Sequence, residues 1–204
     1  MKNRLLPVRD SADSLDKWEQ DLAHIQLRIA GRWLDRSNKV KDLFARFFFY
    51  FAGFNAIYFL WSQIERQEGS ASGSNGEGKQ IRNLLQKFQE EKAVKILDTL
   101  SDSVKYFRDR RPIQDMRYRK DDSSHEGKED EGRKWKRKLG GTSAPVEKLV
   151  ALGMILYMVR SNLVHGSKSQ EGDDLCVIMH SVNPMECLLA ESIELTRQKL
   201  RMEI

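Results

Sequence analysis

Pro145-Val146-Glu147-Lys148-Leu149-Val150-Ala151-Leu152-Gly153-Met154-Ile155-Leu156-Tyr157-Met158-Val159-Arg160-Ser161-Asn162-Leu163-Val164-His165-Gly166 decides the fold. Between Val146 and Val159 only Glu147 and Lys148 are charged. Leu149, Leu152, Ile155, Leu156 and Val159 point in several directions on a helical repeat. A helix that is apolar nearly all round must be covered on every side. It begins after Ser143, with Pro145 at an early helical position and Glu147 in the first turn. It ends at His165, with Gly166 as the stop. Arg160, Asn162 and His165 interrupt the apolar run at that end. Polar groups at the end of a buried helix cost free energy unless they are paired, and a phosphate-bearing ligand is one candidate partner.

Outward from this helix the chain is helical again. Ser11 or Ser14 caps a first helix running to about Arg36, with Leu15, Trp18, Leu22, Ile25, Ile29 and Trp33 on one face. A break at Ser37-Asn38 precedes a second helix from about Val40 to Arg66. Gly69 to Gly78 is rich in Gly and Ser, has no periodicity and reads as a mobile loop. A third helix, about Lys79 to Glu91, carries Ile81, Leu84, Leu85 and Phe88 on one face. A fourth, about Ala93 to Arg108, carries Val94, Leu97, Leu100, Val104 and Phe107. Beyond Gly166 a further helix starts near Asp173. Asn183-Pro184-Met185-Glu186 then reads as a cap followed by a new helix to about Met202. No alternating strand pattern occurs. The expected class is all-α, and short connections favour an antiparallel helical bundle. Residues 1–204 read as a single domain.

Arg108 to Gly141 stands apart. It is nearly devoid of aliphatic residues, is interrupted by Pro112, Gly127, Gly132, Gly140 and Gly141, and mixes both signs of charge. A structureless insertion of that length is either functional or disordered. Arg117-Tyr118-Arg119-Lys120 and Arg133-Lys134-Trp135-Lys136-Arg137-Lys138 interleave basic and aromatic residues. In such a pattern Arg117 and Lys134 grip a nucleic-acid backbone and Tyr118 or Trp135 stacks on bases; a solvated loop produces the same composition.

The hydrophobic fraction of 40% is enough for a real core, and a net charge of +5 permits an anionic partner without demanding one. Cys176 and Cys187 sit in apolar helical surroundings with no metal or disulfide spacing, which fits a reducing cytoplasm. Met1 to Asp10 lacks the apolar core of a signal peptide. Phe47 to Trp61 is uncharged and aromatic, but it is shorter than the roughly 20 residues a spanning helix needs and contains Asn55. It reads as a buried core helix, so no membrane association is expected.

Arg160-Ser161-Asn162-Leu163-Val164-His165-Gly166 resembles the R-x4-6-H motif of the HEPN superfamily (higher eukaryotes and prokaryotes nucleotide-binding), with four residues between Arg160 and His165. Ile155-Leu156-Tyr157-Met158-Val159 resembles the run leading into that motif. Phe51-Ala52-Gly53-Phe54-Asn55-Ala56-Ile57-Tyr58 is similar to an early-helix segment of many prokaryotic members, and Pro112-Ile113-Gln114-Asp115-Met116-Arg117 to a mid-chain segment. The resemblance implies a dimerising helical bundle that places two motif copies in one cleft. Many members are metal-independent endoribonucleases acting as toxins or antiviral effectors; others bind nucleotides or have lost activity. Many carry Asn, Asp or His directly after the Arg, where this chain has Ser161, with Asn162 one step later.

On a helix, Ser161 and Asn162 share a face with His165, four and three residues away. Arg160 lies five residues before His165, roughly 140° away, so a long side chain or a dimer must close the gap. RNA cleavage needs a base for the 2′-hydroxyl, an acid for the leaving oxygen and a cation for the developing charge. His165 suits the proton transfers. Arg160 suits bidentate phosphate contact. Asn162 or Ser161 would orient them, and Asn55 would line the same cleft or satisfy a backbone group. In a plain structural reading His165 caps a helix and Arg160 pairs with a local acid. His24, His125 and His180 read as ordinary surface or interface histidines. Neither cofactor nor metal is expected. The expected partners are RNA, a second copy of the chain, and an antitoxin or nucleotidyltransferase. A non-catalytic HEPN module binding a nucleotide or a partner protein, or a structural helical adaptor, is the alternative.

Overall fold

A computed structural model describes residues 17–67, 76–110, 131–164 and 172–202, which form eight helices and no strand. The all-α class is as expected. The helices are α1 (Lys17–Ser37), α2 (Leu43–Gln67), α3 (Glu77–Leu85), α4 (Glu90–Thr99), α5 (Ser101–Asp109), α6 (Glu131–Gly140), α7 (Pro145–Val164) and α8 (Gly172–Met202).

Helix α7 is the axis. Every residue from Leu149 to Val159 is buried. Helices α3, α4, α6 and α8 pack around it. Burying one Leu or Ile side chain stabilises by about 1.5–3 kcal/mol, so this helix anchors the core. The cover its apolar surface requires therefore comes from its own chain, and this surface gives no reason to invoke a second copy.

Helix α2 is the other central element. It spans 25 residues, longer than the Phe47–Trp61 segment suggested, and is long and apolar enough to cross a bilayer by length and composition alone. Its packing is that of a core helix: Phe47, Tyr50, Phe51, Phe54, Ile57, Tyr58 and Trp61 are buried, against α1, α3 and α8. Gly53 marks the closest approach. A Cβ there would lie 2.8 Å from Leu189 Cδ2, 3.1 Å from Trp33 Cβ and 3.3 Å from the Ala30 carbonyl. One strip of α2 stays open: Phe48, Asn55 and Phe59 are exposed, the two rings by 43% and 40%.

The helix directions are mixed, not uniformly antiparallel. Trp33 meets Phe49 and Ala23 clusters with Leu60, so α1 and α2 are antiparallel. Tyr58 pairs with Glu77 and Glu65 with Asn83, in ascending order on both helices, so α2 and α3 run the same way. Contacts Gly53 to Leu189 and Trp61 to Thr196 ascend likewise, making α2 and α8 parallel. Helix α7 runs against α3, since Gly153 meets Leu85 while Tyr157 lies by Gly78.

Four expectations are corrected. The segment read as a loop to Gly78 is already helical from Glu77; Glu77 supplies the acidic first turn ahead of the buried trio Ile81, Leu84 and Leu85. The helix expected over Ala93–Arg108 is two, because buried Leu100 leaves the helical conformation (φ −100°, ψ 18°). Part of the charged insertion is α6: Gly132, Trp135 and Leu139 form a buried 3-4 stripe hidden among basic residues. Pro184 does not start a new helix but lies inside α8. An interior proline costs about 3 kcal/mol, yet the buried stripe Val177, Ser181, Val182, Met185, Leu188, Leu189 and Ser192 continues through it. Residues 111–130 of the insertion lie outside the described residues.

Candidate functional site

The C-terminal end of α7, the middle of α2 and the first turn of α3 converge on Arg160. Its Nη1–H donates to Glu77 Oε2 at 3.3 Å, and the two side chains are 28% and 27% exposed. The guanidinium carbon lies 5.5 Å from the centre of the Phe51 ring, within cation–π range. Phe51 in turn stacks on Tyr157, centroids 6.5 Å apart. The Tyr58 hydroxyl donates to the other Glu77 oxygen. Burial first, and then this hydrogen bond to the carboxylate, push the Tyr58 phenol well above its ordinary range.

Local sequence explains this placement. Phe51 and Tyr58 are seven residues apart, two turns of α2, and share its inward face. Glu77 occupies the first turn of α3, where the helix dipole favours a negative charge. Gly78 lets α3 sit close to α7, since a Cβ there would be 3.2 Å from Met154 Cε and 3.7 Å from Tyr157. Arg160 is thus a partly open, planar cation between an aromatic floor and one carboxylate. Chemically, that arrangement suits an anion able to displace or share with Glu77, phosphate above all.

The structure places the expected site residues unevenly. Asn55 is exposed, four residues after Phe51 and three before Tyr58, so it lies on the same side of α2 as the Arg160 cluster. Being exposed, it is not the lone buried asparagine of the plain reading. Ser161 is half-buried, whereas Asn162 is buried at 4% exposure. Two steps along a helix turn a side chain by roughly 200°, so Asn162 points away from Arg160 into the core. Lys134 lies on α6, ion-paired to Glu131 at 3.1 Å and 4.8 Å from the Trp135 ring. Its neighbour Lys138 pairs with Glu147, near the start of α7. Glu147 and Arg160 are separated by roughly 20 Å of helix, so Lys134 belongs to another region. Trp135 is 3% exposed and cannot stack on bases as a free ring. His165, Arg117 and Tyr118 lie outside the described residues.

Glu77 and Tyr58 are the two members that sequence reading missed. Glu77 was hidden in the Gly/Ser-rich stretch, although an acid four residues before Ile81 is a helix-start signal. Among the described residues, no three His, Cys, Asp or Glu side chains group to hold a metal ion. Cys176 is exposed and Cys187 half-buried, and both are free thiols; Cys176 therefore lacks the apolar surroundings expected for it. Burial pushes the Cys187 thiol up to about 11. His24 is exposed, and His180 stacks on Tyr106 with centroids 3.9 Å apart.

No family model, curated protein or solved structure matches this chain. The HEPN resemblance therefore rests on the chain's own residues.

Proposed function

We propose that the protein is a HEPN-type endoribonuclease of the cytoplasm that works without a metal, as a homodimer. The observation that carries this reading is Arg160, a partly open guanidinium held at the end of the core helix, five residues before His165. In this reading Arg160 binds the scissile phosphate and stabilises the charge that develops on it. His165 transfers protons: the 2′-hydroxyl gives up its proton, its oxygen attacks phosphorus, the P–O5′ bond breaks, and the 5′-oxygen is protonated. Ser161, half-buried and four residues before His165, is the better orienting group; Asn162 serves the helix end from the core side. Asn55 flanks the phosphate position. The open strip Phe48–Asn55–Phe59 beside this cluster supports a two-fold contact, which would bring two Arg160 side chains towards one cleft.

Cleavage of a mixed RNA, abolished by His165→Ala and indifferent to EDTA, tests the proposal. One observation favours a second reading, a non-catalytic nucleotide-binding module: Glu77 already neutralises Arg160. Tight nucleotide binding at Arg160 without RNA cleavage would decide for it. An antitoxin or nucleotidyltransferase partner is compatible with either.

A further inference from the structure

A second cationic feature lies between α1 and α8, built from residues to which the reading above gives no role. Its row on α1 is His24, Arg28 and Arg32, each four residues from the next and all exposed. Arg197 reaches the same groove from α8. The floor is apolar, from half-buried Leu27 and Leu200, and open at Gly31, where a Cβ would meet nothing within 4 Å. The groove encloses about 550 Å³. One carboxylate, Asp35, stands on its rim. Among the described residues, no ion pair or hydrogen bond engages the Arg28, Arg32 or Arg197 side chain.

Some cations elsewhere are matched, Arg160 by Glu77, Lys92 by Glu191 and Lys87 by Glu65. Arg28, Arg32 and Arg197 line one groove with an apolar floor, and among the described residues of its lining Asp35 is the single carboxylate, so like charges share this face with their donors turned to solvent. An anion relieves the repulsion and takes the paired N–H donors of each guanidinium. An apolar floor between the cations suits the sugar and base of a nucleotide, whereas inorganic phosphate alone would leave Leu27 and Leu200 unused.

We propose that the α1/α8 groove binds the phosphates of a single nucleic-acid strand, with Arg28, Arg32 and Arg197 as the phosphate contacts. The inference is independent of the cleavage reading, because it concerns a groove that includes neither Arg160 nor His165.

The test is fluorescence anisotropy with a labelled oligoribonucleotide of about ten nucleotides, within the ~4–16-nucleotide site sizes of single-strand grooves. The full chain carrying His165→Ala is used, so that cleavage cannot consume the probe. Arg28→Ala/Arg32→Ala on α1, and separately Arg197→Ala on α8, should each weaken binding, the double variant by about tenfold or more. The slope of log K against log salt should fall by about 0.7 for each phosphate contact removed. A charge-matched control, Lys95→Ala/Lys105→Ala on α4 and α5, should bind as the parent does. Circular dichroism should show every variant folded, since the substituted side chains are exposed. Unchanged affinity in both groove variants would overturn the proposal. So would an equal loss in the control, which would mean general electrostatic attraction, or binding to phosphatidylserine vesicles without binding to the oligonucleotide.

Discussion

Glu77 Oε2 lies 3.3 Å from Arg160 Nη1, while the other carboxylate oxygen accepts the Tyr58 hydroxyl. The cation proposed to hold the scissile phosphate thus already has an anion beside it, supplied by the first turn of a short helix. A phosphate arriving at Arg160 competes with Glu77 or shares the guanidinium with it. Glu77→Gln removes the competing charge and keeps an oxygen for Tyr58. Phosphate and mononucleotide affinity should rise several-fold, read by calorimetric titration. Stability should change by no more than about 1 kcal/mol, because a partly exposed pair contributes little. Unchanged or weaker phosphate binding in Glu77→Gln would show that Arg160 is a structural cation, not a ligand site.

Helix α3 carries Glu77, and a second tie holds it to α2. Glu65 accepts from Lys87 at 2.9 Å and from Asn83 at 3.0 Å. Burial alone would raise the Glu65 carboxyl, but the hydrogen bonds from Lys87 and Asn83 outweigh it and hold the group below its usual 4.5. A depressed carboxyl stabilises the fold fully above its unfolded value and loses that contribution as pH falls through the folded one. Glu65→Gln should therefore cost about 1 kcal/mol at neutral pH, discounted for the exposed Lys87. The gap between wild type and variant should close as pH drops below about 4.5. Urea unfolding at several pH values reads it; a gap that widens in acid would refute the assignment.

What the sequence displayed, and what it concealed, follows from the strength of each local signal. Helices α2 and α7 were legible because long apolar runs have few other physical outcomes. The all-α class followed from them and from the 3-4 spacing around Trp33 and Leu97. Helix α6 was concealed because Trp135 and Leu139 are scattered among charges and bracketed by Gly132 and Gly140, so composition outweighed periodicity. The continuity of α8 was concealed because Asn183-Pro184 is a genuine start signal that tertiary packing overrides. Of the candidate site, Arg160 was legible from its position after the apolar run. Its partner Glu77 was not, because an ion pair between residues 83 positions apart leaves no trace in local spacing. Burial likewise separates half-buried Ser161 from Asn162 in the core, two residues that helical spacing alone put on one face with His165.

Gly53 sits where α1, α2 and α8 meet, and a Cβ there lies 3.1 Å from Trp33 Cβ, an atom fixed close to its backbone. Leu189 can swing aside; Trp33 and the Ala30 carbonyl can do so only by moving α1. Gly53→Val should destabilise by about 1–3 kcal/mol, the usual range for overpacking. Gly31→Val on α1, where a Cβ meets nothing, should cost less than half as much. Equal midpoints for the two variants in thermal unfolding would show that the three helices do not meet as tightly as described.

The exposed rings of Phe48 and Phe59, two apolar side chains flanking Asn55 on one strip of α2, support a contact between two copies. Phe48→Glu/Phe59→Glu should leave the fold intact, since both side chains already face outward, and should shift sedimentation towards monomer. If RNA cleavage needs the composite cleft, activity should fall with dimer content and recover as protein concentration rises. A wild-type monomer at tens of micromolar, roughly the range in which a weak interface still associates, would remove the composite cleft from consideration.

The chemistry itself gives the sharpest prediction. If His165 transfers the protons, His165→Ala should lower RNA cleavage by about 10²–10⁴-fold with the helical content unchanged. Arg160→Lys should fail nearly as badly as Arg160→Ala, because an ammonium keeps the charge but loses the planar fork that grips two phosphate oxygens. Attack by the neighbouring 2′-oxygen displaces the 5′-oxygen, so the products should carry 2′,3′-cyclic phosphate and 5′-hydroxyl ends, identified by mass spectrometry. A DNA strand of the same sequence has no 2′-hydroxyl and should remain intact. Glu77→Gln, which frees Arg160, should raise cleavage at low substrate by lowering KM while leaving kcat nearly unchanged, since it removes a competitor for ground-state binding rather than a transition-state contact. Cleavage of DNA, loss of activity in EDTA, or full activity in Arg160→Lys would each rule out this mechanism.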